Sequence, residues 1–411
     1  MQSVARCQAI AILLIFLALQ LLLLCGFGDF TGDIITATVS PPSPPGVLPT
    51  GIEVEGRVVL DPKQIINLVN ISSRLESSRF VVFTMLSMQK PYVSRKALRM
   101  VASLRATGSA ALVVIFSRVA TVRAVEAEFE RFGNVVVVGF PDDKSHTRSL
   151  WWPSSFRYTL AKLFLDYHFH HFDAVMTSDM TDVIFQEDPF VWAMSEFNRT
   201  GKELIVAEEE AVLGGGANPS DTIDGGINLN WIKECRADAS RVLKKHVLCS
   251  GTTIGTARMM QHYLTQMDGM TRNGYCGAIG QDQGAHNYLV YTKPTLASNM
   301  LPQNFRTGRI ITMHGVPIIR FDSSSGRLVN AEGRPYVVTH QINRCGWAKE
   351  FVNTTGKLLH DGSLETVPSE LRCPSVEWPP YFSVPSPLRT SAGKEDGDRS
   401  WWSKLLAWIG L

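Results

Sequence analysis

Between residues 80 and 178 the chain alternates short apolar segments with longer amphipathic ones. The apolar segments have the length of buried strands, and the segments between them have helical periodicity. The four predicted strands are Phe80–Met85, Ala111–Phe116, Asn134–Phe140 and Asp173–Ser178. Continuous apolar strands separated by helices are typical of a parallel sheet that helices cover on both faces. We therefore expect an α/β fold built on a doubly wound sheet.

An acidic segment follows the fourth predicted strand. In doubly wound sheets, ligands bind beyond the carboxyl ends of the strands, and the segment SDMTDVIFQEDPF (178–190) begins at such an end. Asp179 and Asp182 are spaced so that both carboxylates can face one ion, and their oxygens suit Mn²⁺ or Mg²⁺. The alternative is a turn in which these aspartates accept bonds from nearby backbone amides. Asp188 precedes Pro189 and is predicted to cap the next helix.

The N-terminal segment predicts a membrane anchor. Ala9–Phe27 is a 19-residue apolar run that only Gln20 interrupts, which is long enough to cross a bilayer core of about 30 Å. Arg6 precedes this run and Asp29 follows it, so residues 1–8 are predicted to be a cytoplasmic tail. The alternative is a long signal peptide that is cleaved. A single-pass type II signal-anchor over residues 9–27 is the better prediction, with the remaining chain in the lumen of the Golgi or ER.

The rest of the chain divides by composition into three parts. Residues 28–76 include SPPSPPGVLPTG, in which five of twelve residues are proline, and are predicted to form an extended stem. Residues 77–385 are predicted to form the globular domain. Residues 386–411 are predicted to be a flexible tail that ends in a short amphipathic helix, SWWSKLLAWIGL, which either docks on the domain or lies at a membrane surface.

Length and charge exclude some classes of protein. The 411 residues are 45% apolar, which is enough for one large or two ordinary domains. The net charge is only +2, so the chain lacks the basic excess that nucleic-acid binding requires.

Sequons and cysteines agree with a lumenal location. The predicted N-glycosylation sites are Asn70, Asn198 and Asn353. Beyond the apolar run the chain has five cysteines, namely Cys235, Cys249, Cys276, Cys345 and Cys373. An oxidising compartment favours disulfides, and the odd count leaves at least one cysteine unpaired. On proximity in the sequence, we expect Cys235 to pair with Cys249 and Cys345 with Cys373.

Four sequence blocks, in order, resemble those of GT-A glycosyltransferases. TSDMTDVIFQEDPF (177–190) resembles the D-x-x-D-V-x-F-Q-x-D-P-F form of a poorly described eukaryotic set of nucleotide-sugar transferases. CSGTTIG (249–255) and GQDQGAHNYL (280–289) are similar to the Ser-Gly and Asp-Gln blocks of that set and, more distantly, of glycogenin-like enzymes. VVTHQINR (337–344) resembles the closing V-x-H-Q block. The resemblance covers about residues 78 to 350 and implies a mixed, mostly parallel GT-A sheet flanked by helices.

The resemblance implies a set of metal ligands and a catalytic residue. Asp182, together with Asp179, would hold Mn²⁺ or Mg²⁺ against the donor's diphosphate, and His340 would add a nitrogen ligand. The common motif is D-x-D, whereas this chain has Met180 between its acids, so Asp182 is the safer ligand. Asp282 would lie at the sugar, where it orients the acceptor hydroxyl or acts as base or nucleophile. The alternative is that Asp282 only caps a helix.

The resemblance also implies donor-binding residues and an activity. The implied donor-binding residues are Thr84, Arg157, Ser250, Gly251 and Gln283, although Arg157 could equally be a surface residue and Thr84 a buried strand residue. The implied activity is transfer of a hexose or pentose from a nucleotide sugar to a hydroxyl of a glycan, glycoprotein or lipid. The Asp-Gln block resembles that of retaining enzymes. The alternatives are a catalytically inactive lumenal binding protein with the same fold and a metal-dependent phosphoesterase.

Overall fold

A mixed sheet of seven strands lies at the centre of the computed structural model. Among the described residues, the strands in chain order are β1 (Phe80–Leu86), β2 (Leu112–Arg118), β3 (Val135–Phe140), β4 (Ala174–Ser178), β5 (Val183–Phe185), β6 (Leu204–Glu208), β7 (Leu248–Thr256), β8 (Met300–Gln303), β9 (Ile310–Thr312), β10 (Ile318–Asp322), β11 (Arg327–Val329), β12 (Val338–His340) and β13 (Glu370–Arg372). The helices are α1 (Arg95–Ala106), α2 (Val122–Phe129), α3 (Pro153–His168), α4 (Pro189–Thr200), α5 (Ile227–Glu234), α6 (Ala257–Thr271), α7 (Gln281–Thr292) and α8 (Pro294–Asn299).

The structure describes only part of the chain. The described residues are 75, 78–86, 95–140, 153–209, 227–271, 276, 280–313, 316, 318–322, 324–342 and 370–372. All of them belong to one unit of the chain, Glu53–Leu411. The predicted anchor over residues 9–27, nearly all of the predicted stem and the predicted tail from 386 lie outside these residues. Among the described helices, none is both long and apolar enough to span a membrane.

The large sheet has the strand order β3-β2-β1-β4-β7-β6-β8. Strands β1 to β4 are mutually parallel, as the alternating pattern predicts. β7 runs antiparallel to both of its neighbours, β4 and β6, and β8 runs parallel to β6. Six strands therefore share one direction, and their carboxyl ends lie at the same edge. The prediction of a mixed, mostly parallel sheet is confirmed.

Helices cover both faces because the strands are apolar on both sides. On one face, Phe83 and Val175 pack in a buried cluster with Tyr158 and Phe164 of α3 and with residues of α6 and α7. On the other face, strand residues pack with α1, α2 and α4 in a second buried cluster. The strands carry β-branched and aromatic side chains that suit such a doubly covered sheet.

A small sheet of order β5-β12-β9 brings distant parts of the chain to the acidic segment. β12 pairs antiparallel with β5, so that His340 lies opposite Val183. The amide of Ile342 also donates to the carbonyl of Asp182, at 3.3 Å. This pairing places the end of β12 beside the acids that precede β5. A second small sheet has the order β11-β10-β13.

The cap predicted for the helix after the acidic segment is confirmed. The Oδ1 atom of Asp188 accepts from the amides of Phe190 and Val191, and Pro189 occupies the first turn of α4. The late strand β12 is short and spans only Val338–His340 within the VVTHQINR block.

Candidate metal and donor site

Two aspartates lie where β4 ends, at the carboxyl edge of the large sheet. Asp179 directly follows β4, and Asp182 directly precedes β5. The amide of Asp179 donates to the carbonyl of Gly251 on the neighbouring β7, at 2.8 Å. That bond fixes the bend between β4 and β5. The two carboxylates are thereby held at the edge of the sheet rather than along a strand.

His340 completes a group of three potential ligands with these aspartates. Its Nε2 atom lies 3.1 Å from Oδ2 of Asp179 and 3.8 Å from Oδ1 of Asp182. One ligand atom from each of the three residues lies within 4.8 Å of the others. Two carboxylate oxygens and one imidazole nitrogen are a donor set that suits Mn²⁺ and related divalent ions. The residues that the sequence nominated as ligands are therefore together in space, and their chemistry fits a divalent cation.

Gly251 lets β7 approach this group closely. A Cβ atom added there would lie 2.2 Å from Cε1 and 2.5 Å from Nε2 of His340, and 2.8 Å from Oδ2 of Asp179. No side chain fits at those distances, so glycine is required for close approach at this position.

Gly251→Ala is expected to displace His340 and to weaken binding of Mn²⁺ by about tenfold or more, as loss of ligand geometry does. The overpacking should also lower the free energy of unfolding by about 1–3 kcal/mol. Gly269→Ala in α6 is the matched control, because nothing lies within 4 Å of its added Cβ. Calorimetric Mn²⁺ titration and urea unfolding of both variants measure the effect. Unchanged Mn²⁺ affinity in Gly251→Ala would contradict the placement of His340.

Arg157 joins the ligand group to Asp282. From α3 it donates to Oδ1 of Asp179, to Oδ2 of Asp282 at 3.2 Å and to the carbonyl of Ser250 at 3.2 Å. Its side chain is only 7% exposed. The alternative that Arg157 is a surface residue is therefore wrong. It is a buried cation placed between two acids.

Asp282 lies in the first turn of α7, with its carboxyl directed to β7 and α3. Oδ2 of Asp282 accepts from Oγ of Ser250 at 3.1 Å as well as from Arg157. The cap position of α7 is occupied by Gly280, with φ of +78°, and no side chain bonds there as a cap. The alternative that Asp282 serves as the helix cap is therefore wrong.

Burial and neighbouring charges set the protonation of the site. Burial raises the pKa of Asp282, although the Arg157 guanidinium opposes this effect. For Asp179, burial acts to raise the pKa, but Arg157 and His340 outweigh it and the pKa lies well below its usual range. For His340, burial acts to lower the pKa, but Cys249 and the two aspartates outweigh it and the pKa is raised. Without a metal ion, cationic side chains thus balance the carboxylates.

The remaining predicted donor-binding residues differ in their surroundings. Ser250 and Gly251 are part of the site just described. Nε2 of Gln283 donates to Oε1 of Glu209 at 3.1 Å and to Oδ1 of Asn228 at 3.0 Å, so Gln283 connects α7 to the end of β6 and to α5. Thr84 is fully buried in β1, and its Oγ1 has no hydrogen-bond partner among the described residues. No described hydrogen bond joins Thr84 to the ligand group.

Two residues of the site were missed at the level of sequence. The hydroxyl of Tyr158 donates to the carbonyl of Ser250 at 3.3 Å, and Sγ of Cys249 lies 3.4 Å from Nδ1 of His340. Tyr158 is adjacent to Arg157, and Cys249 begins the Ser-Gly block, but neither position carries a pattern that predicts its contact. Their roles arise from packing between elements that are far apart in the chain.

The predicted pairing of Cys235 with Cys249 is wrong. Cys235 forms its disulfide with Cys276 instead, and Cys249 is a buried free cysteine. Cys235 directly follows α5 and Cys276 precedes α7, and these two helices pack against each other. Proximity along the chain misled the prediction because Cys249 lies in β7, with its side chain against His340. The predicted pair Cys345–Cys373 and the sequons at Asn70 and Asn353 lie outside the described residues.

His286, one turn after Asp282 in α7, is expected to make the fold sensitive to acid. Burial lowers its pKa to about 3, against 6.5 for a free histidine, and Arg157 adds to the shift. Below pH 6.5 the imidazole is therefore protonated in the unfolded chain but stays neutral in the folded chain. The free energy of unfolding falls as the pH drops from 6.5 towards 3. Between pH 7.5 and 5, this residue should cost about 2 kcal/mol of the free energy of unfolding.

Urea unfolding of the wild type and of His286→Gln at pH 7.5 and 5 tests this expectation. When the pH is lowered from 7.5 to 5, the free energy of unfolding of the wild type should fall by about 2 kcal/mol more than that of the variant. A difference that does not change with pH would contradict it.

Comparison with known proteins finds similarity in structure only. No protein-family model matches the chain, and no curated protein matches it in sequence. Galactosyltransferase LgtC, in complex with donor and acceptor sugar analogs, has 11% identity and a TM-score of 0.41, covering 70% of this chain and 97% of that one. An active-site mutant of LgtC has the same identity and coverage and a TM-score of 0.42. A 4-diphosphocytidyl-2C-methyl-D-erythritol synthase from Anaerococcus prevotii has 8% identity and a TM-score of 0.34, covering 56% of this chain and 89% of that one. At such TM-scores these likenesses carry no weight for activity.

Proposed function

We propose that the protein is a metal-dependent glycosyltransferase of the GT-A type. It would transfer a sugar from a nucleotide sugar to a hydroxyl of a glycan, glycoprotein or lipid. The observation that carries the proposal is the group of Asp179, Asp182 and His340 at the carboxyl edge of the sheet, with Asp282 joined to it through Arg157. A sheet of this kind with an acid pair after its fourth strand is what the resemblance to GT-A enzymes implies.

Asp179, Asp182 and His340 would hold the cation. A bound divalent ion neutralises the charge that grows on a departing nucleoside diphosphate. The carboxylates and the imidazole then serve to fix that charge at one place. Gly251 supports this role, because its lack of a side chain leaves room for the imidazole between β7 and Asp179.

Asp282 is the proposed catalytic residue. It is 4% exposed, and two donors, Arg157 and Ser250, both bond its Oδ2 atom, which fixes the orientation of the carboxyl group. A carboxyl held in this way can orient the acceptor hydroxyl, accept its proton or attack the sugar. Arg157 would also neutralise Asp179 and so limit repulsion between the two acids. Gln283 and Thr84 remain proposed donor-binding residues.

An assay with a panel of nucleotide sugars and Mn²⁺ tests the proposal. We expect transfer or slow donor hydrolysis with one of them, and we expect Asp282→Asn to lower that rate by about 10²–10³-fold, as removal of a principal catalytic group does. Asp166→Asn in the exposed part of α3, where Asp166 pairs with Lys162, is the matched control and should keep the rate. Binding of donors without any turnover would favour the inactive binding protein, and phosphate release from simple esters would favour a phosphoesterase.

Retention of the anomeric configuration is proposed on the resemblance of the Asp-Gln block to that of retaining enzymes. NMR of the product formed in the first minutes of the reaction reports its configuration directly. An inverted product would overturn this part of the proposal and leave the transfer activity in place.

We also propose that the protein is a single-pass type II membrane protein of the Golgi or ER, with its catalytic domain in the lumen. The Cys235–Cys276 disulfide supports an oxidising compartment. Asn198 is exposed on α4, where the fold can accommodate an N-linked glycan. Glycosidase treatment should increase the gel mobility of the expressed protein, and Asn198→Gln should remove part of that shift. No shift in the wild type would count against the lumenal location.

A further inference from the structure

We propose that Cys249 is the positioning residue for His340. In this proposal its sulfur accepts a hydrogen bond from Nδ1–H of His340. The lone pair of Nε2 is then available to a cation held by Asp179 and Asp182. The inference rests on the proposed metal-dependent function. It assigns a role to a buried cysteine that takes no part in the disulfide.

The two ring nitrogens of His340 have opposite surroundings. Nε2 faces the carboxylates, at 3.1 Å from Asp179 and 3.8 Å from Asp182. Nδ1 faces the sulfur of Cys249, at 3.4 Å. His340 is completely buried and Cys249 is 1% exposed, so bulk water does not compete for Nδ1. Within the described part of the chain, the sulfur is the hydrogen-bond partner of this nitrogen.

A neutral imidazole can bind a metal through one nitrogen only when the other nitrogen carries the hydrogen. That N–H group, once buried, needs an acceptor, and the acceptor also fixes the orientation of the ring. If the thiol instead donated its own hydrogen to Nδ1, Nε2 would carry the ring hydrogen and could not bind a cation. Binding of the cation at Nε2 therefore requires the sulfur to act as the acceptor.

The backbone of β7 explains why Cys249 and Gly251 both meet His340. Opposite β6, the pairing shifts from Val206–Thr253 directly to Ala207–Cys249, so three residues of β7 have no ladder partner in β6. Such bulges re-aim side chains and occur next to active sites. Cys249 and Gly251 are two residues apart and face the same side. The cysteine thus contacts one edge of the ring, while the glycine leaves space for the other.

Calorimetric titration of the full-length chain with Mn²⁺ tests the role of the sulfur without relying on activity. Cys249→Ala and Cys249→Val, which remove the acceptor, should raise the dissociation constant for Mn²⁺ by about 10- to 100-fold. Cys249→Ser restores an acceptor and should stay within about threefold of the wild type, because a hydroxyl oxygen also accepts hydrogen bonds. Ile115→Val, which removes one methyl group from buried β2, is the control for loss of packing.

The outcomes separate the two proposals. Wild-type affinity in Cys249→Ala or Cys249→Val overturns the role of Cys249 and leaves the proposed function standing. Equal loss in the serine and valine variants also overturns it, because an acceptor would then make no difference. A wild type that binds no Mn²⁺, alone or with nucleotide sugars, overturns the proposed function itself. Alanine leaves a small cavity at this position, whereas valine fills it with apolar atoms, so a second variant without an acceptor is available if one of the two unfolds the domain.

Discussion

Asp182→Asn is expected to lower the rate of metal-dependent sugar transfer by about 10³-fold. A bound cation contributes several kcal/mol to stabilising the leaving group, and each 1.36 kcal/mol changes the rate tenfold. The side chain of Asp182 is 14% exposed, and its Oδ1 lies 3.8 Å from Nε2 of His340. Asparagine keeps the shape of the side chain but removes the charge that holds a cation. The free energy of unfolding without metal should change by less than about 1 kcal/mol, because asparagine also removes the repulsion between this carboxylate and Asp179.

Asp188→Ala is the matched control for this variant. Asp188 belongs to the same acidic segment, but its carboxylate caps α4. Its loss should lower the free energy of unfolding by about 1 kcal/mol and leave donor binding intact. Melting curves and donor titrations with Mn²⁺ on both variants give the comparison. An Asp182→Asn protein that is unstable but still binds a nucleotide sugar with Mn²⁺ would show that Asp182 is a turn residue and not a ligand.

Arg157→Met is expected to cost about 3–5 kcal/mol of the free energy of unfolding, because it removes one partner of a buried ion pair and leaves the other without compensation. The uncompensated group is the carboxylate of Asp282, because its side chain is only 6% exposed and forms its ion pair with Arg157. Methionine fills a similar volume, so the loss reflects charge more than packing.

The double variant Arg157→Met with Asp282→Asn is the control. It removes the uncompensated charge and should recover most of the stability that Arg157→Met alone loses. Urea unfolding of the two single variants and the double variant closes the cycle. Additive losses would contradict a direct coupling between Arg157 and Asp282.

The first half of the fold could be predicted from the sequence because its pattern is local. Each of β1 to β4 is a continuous apolar run, and the helices that follow β1 and β2 each have their own amphipathic period. Parallel pairing of such strands follows from the helices that connect them. The position of Asp179 and Asp182 at the carboxyl edge follows in turn. The capping role of Asp188 could also be predicted from the sequence, because it depends only on neighbouring residues.

The second half depends on pairings between distant residues that no local pattern encodes. β5, β9 and β12 have three residues each, which is too short for a period to be recognised. Their pairing nevertheless carries His340 to the acids. The antiparallel direction of β7 also has no local signature, since its run of buried residues would suit either direction. The blocks of the resemblance nominated His340 where periodicity could not.

Side-chain partners were the least predictable part of the site. Arg157 has the sequence surroundings of an ordinary helix residue, yet α3 packs so that its guanidinium lies between Asp179 and Asp282. Cys249 was assigned to a disulfide on the basis of its nearest cysteine in the chain. Which cysteines meet depends on the packing of α5 against α7, and that packing is a property of the whole fold.

Electron paramagnetic resonance of Mn²⁺ tests the central claim, that Asp179, Asp182 and His340 hold a divalent cation against the diphosphate of a nucleotide sugar. The full-length chain is titrated with Mn²⁺ in the presence and absence of each nucleotide sugar, beside Asp182→Asn. We predict that the signal of free Mn²⁺ falls when wild-type protein is added, that it falls further with at least one nucleotide sugar, and that Asp182→Asn loses both effects. A free Mn²⁺ signal that wild type and Asp182→Asn lower equally, or that neither lowers with any nucleotide sugar, would contradict the claim.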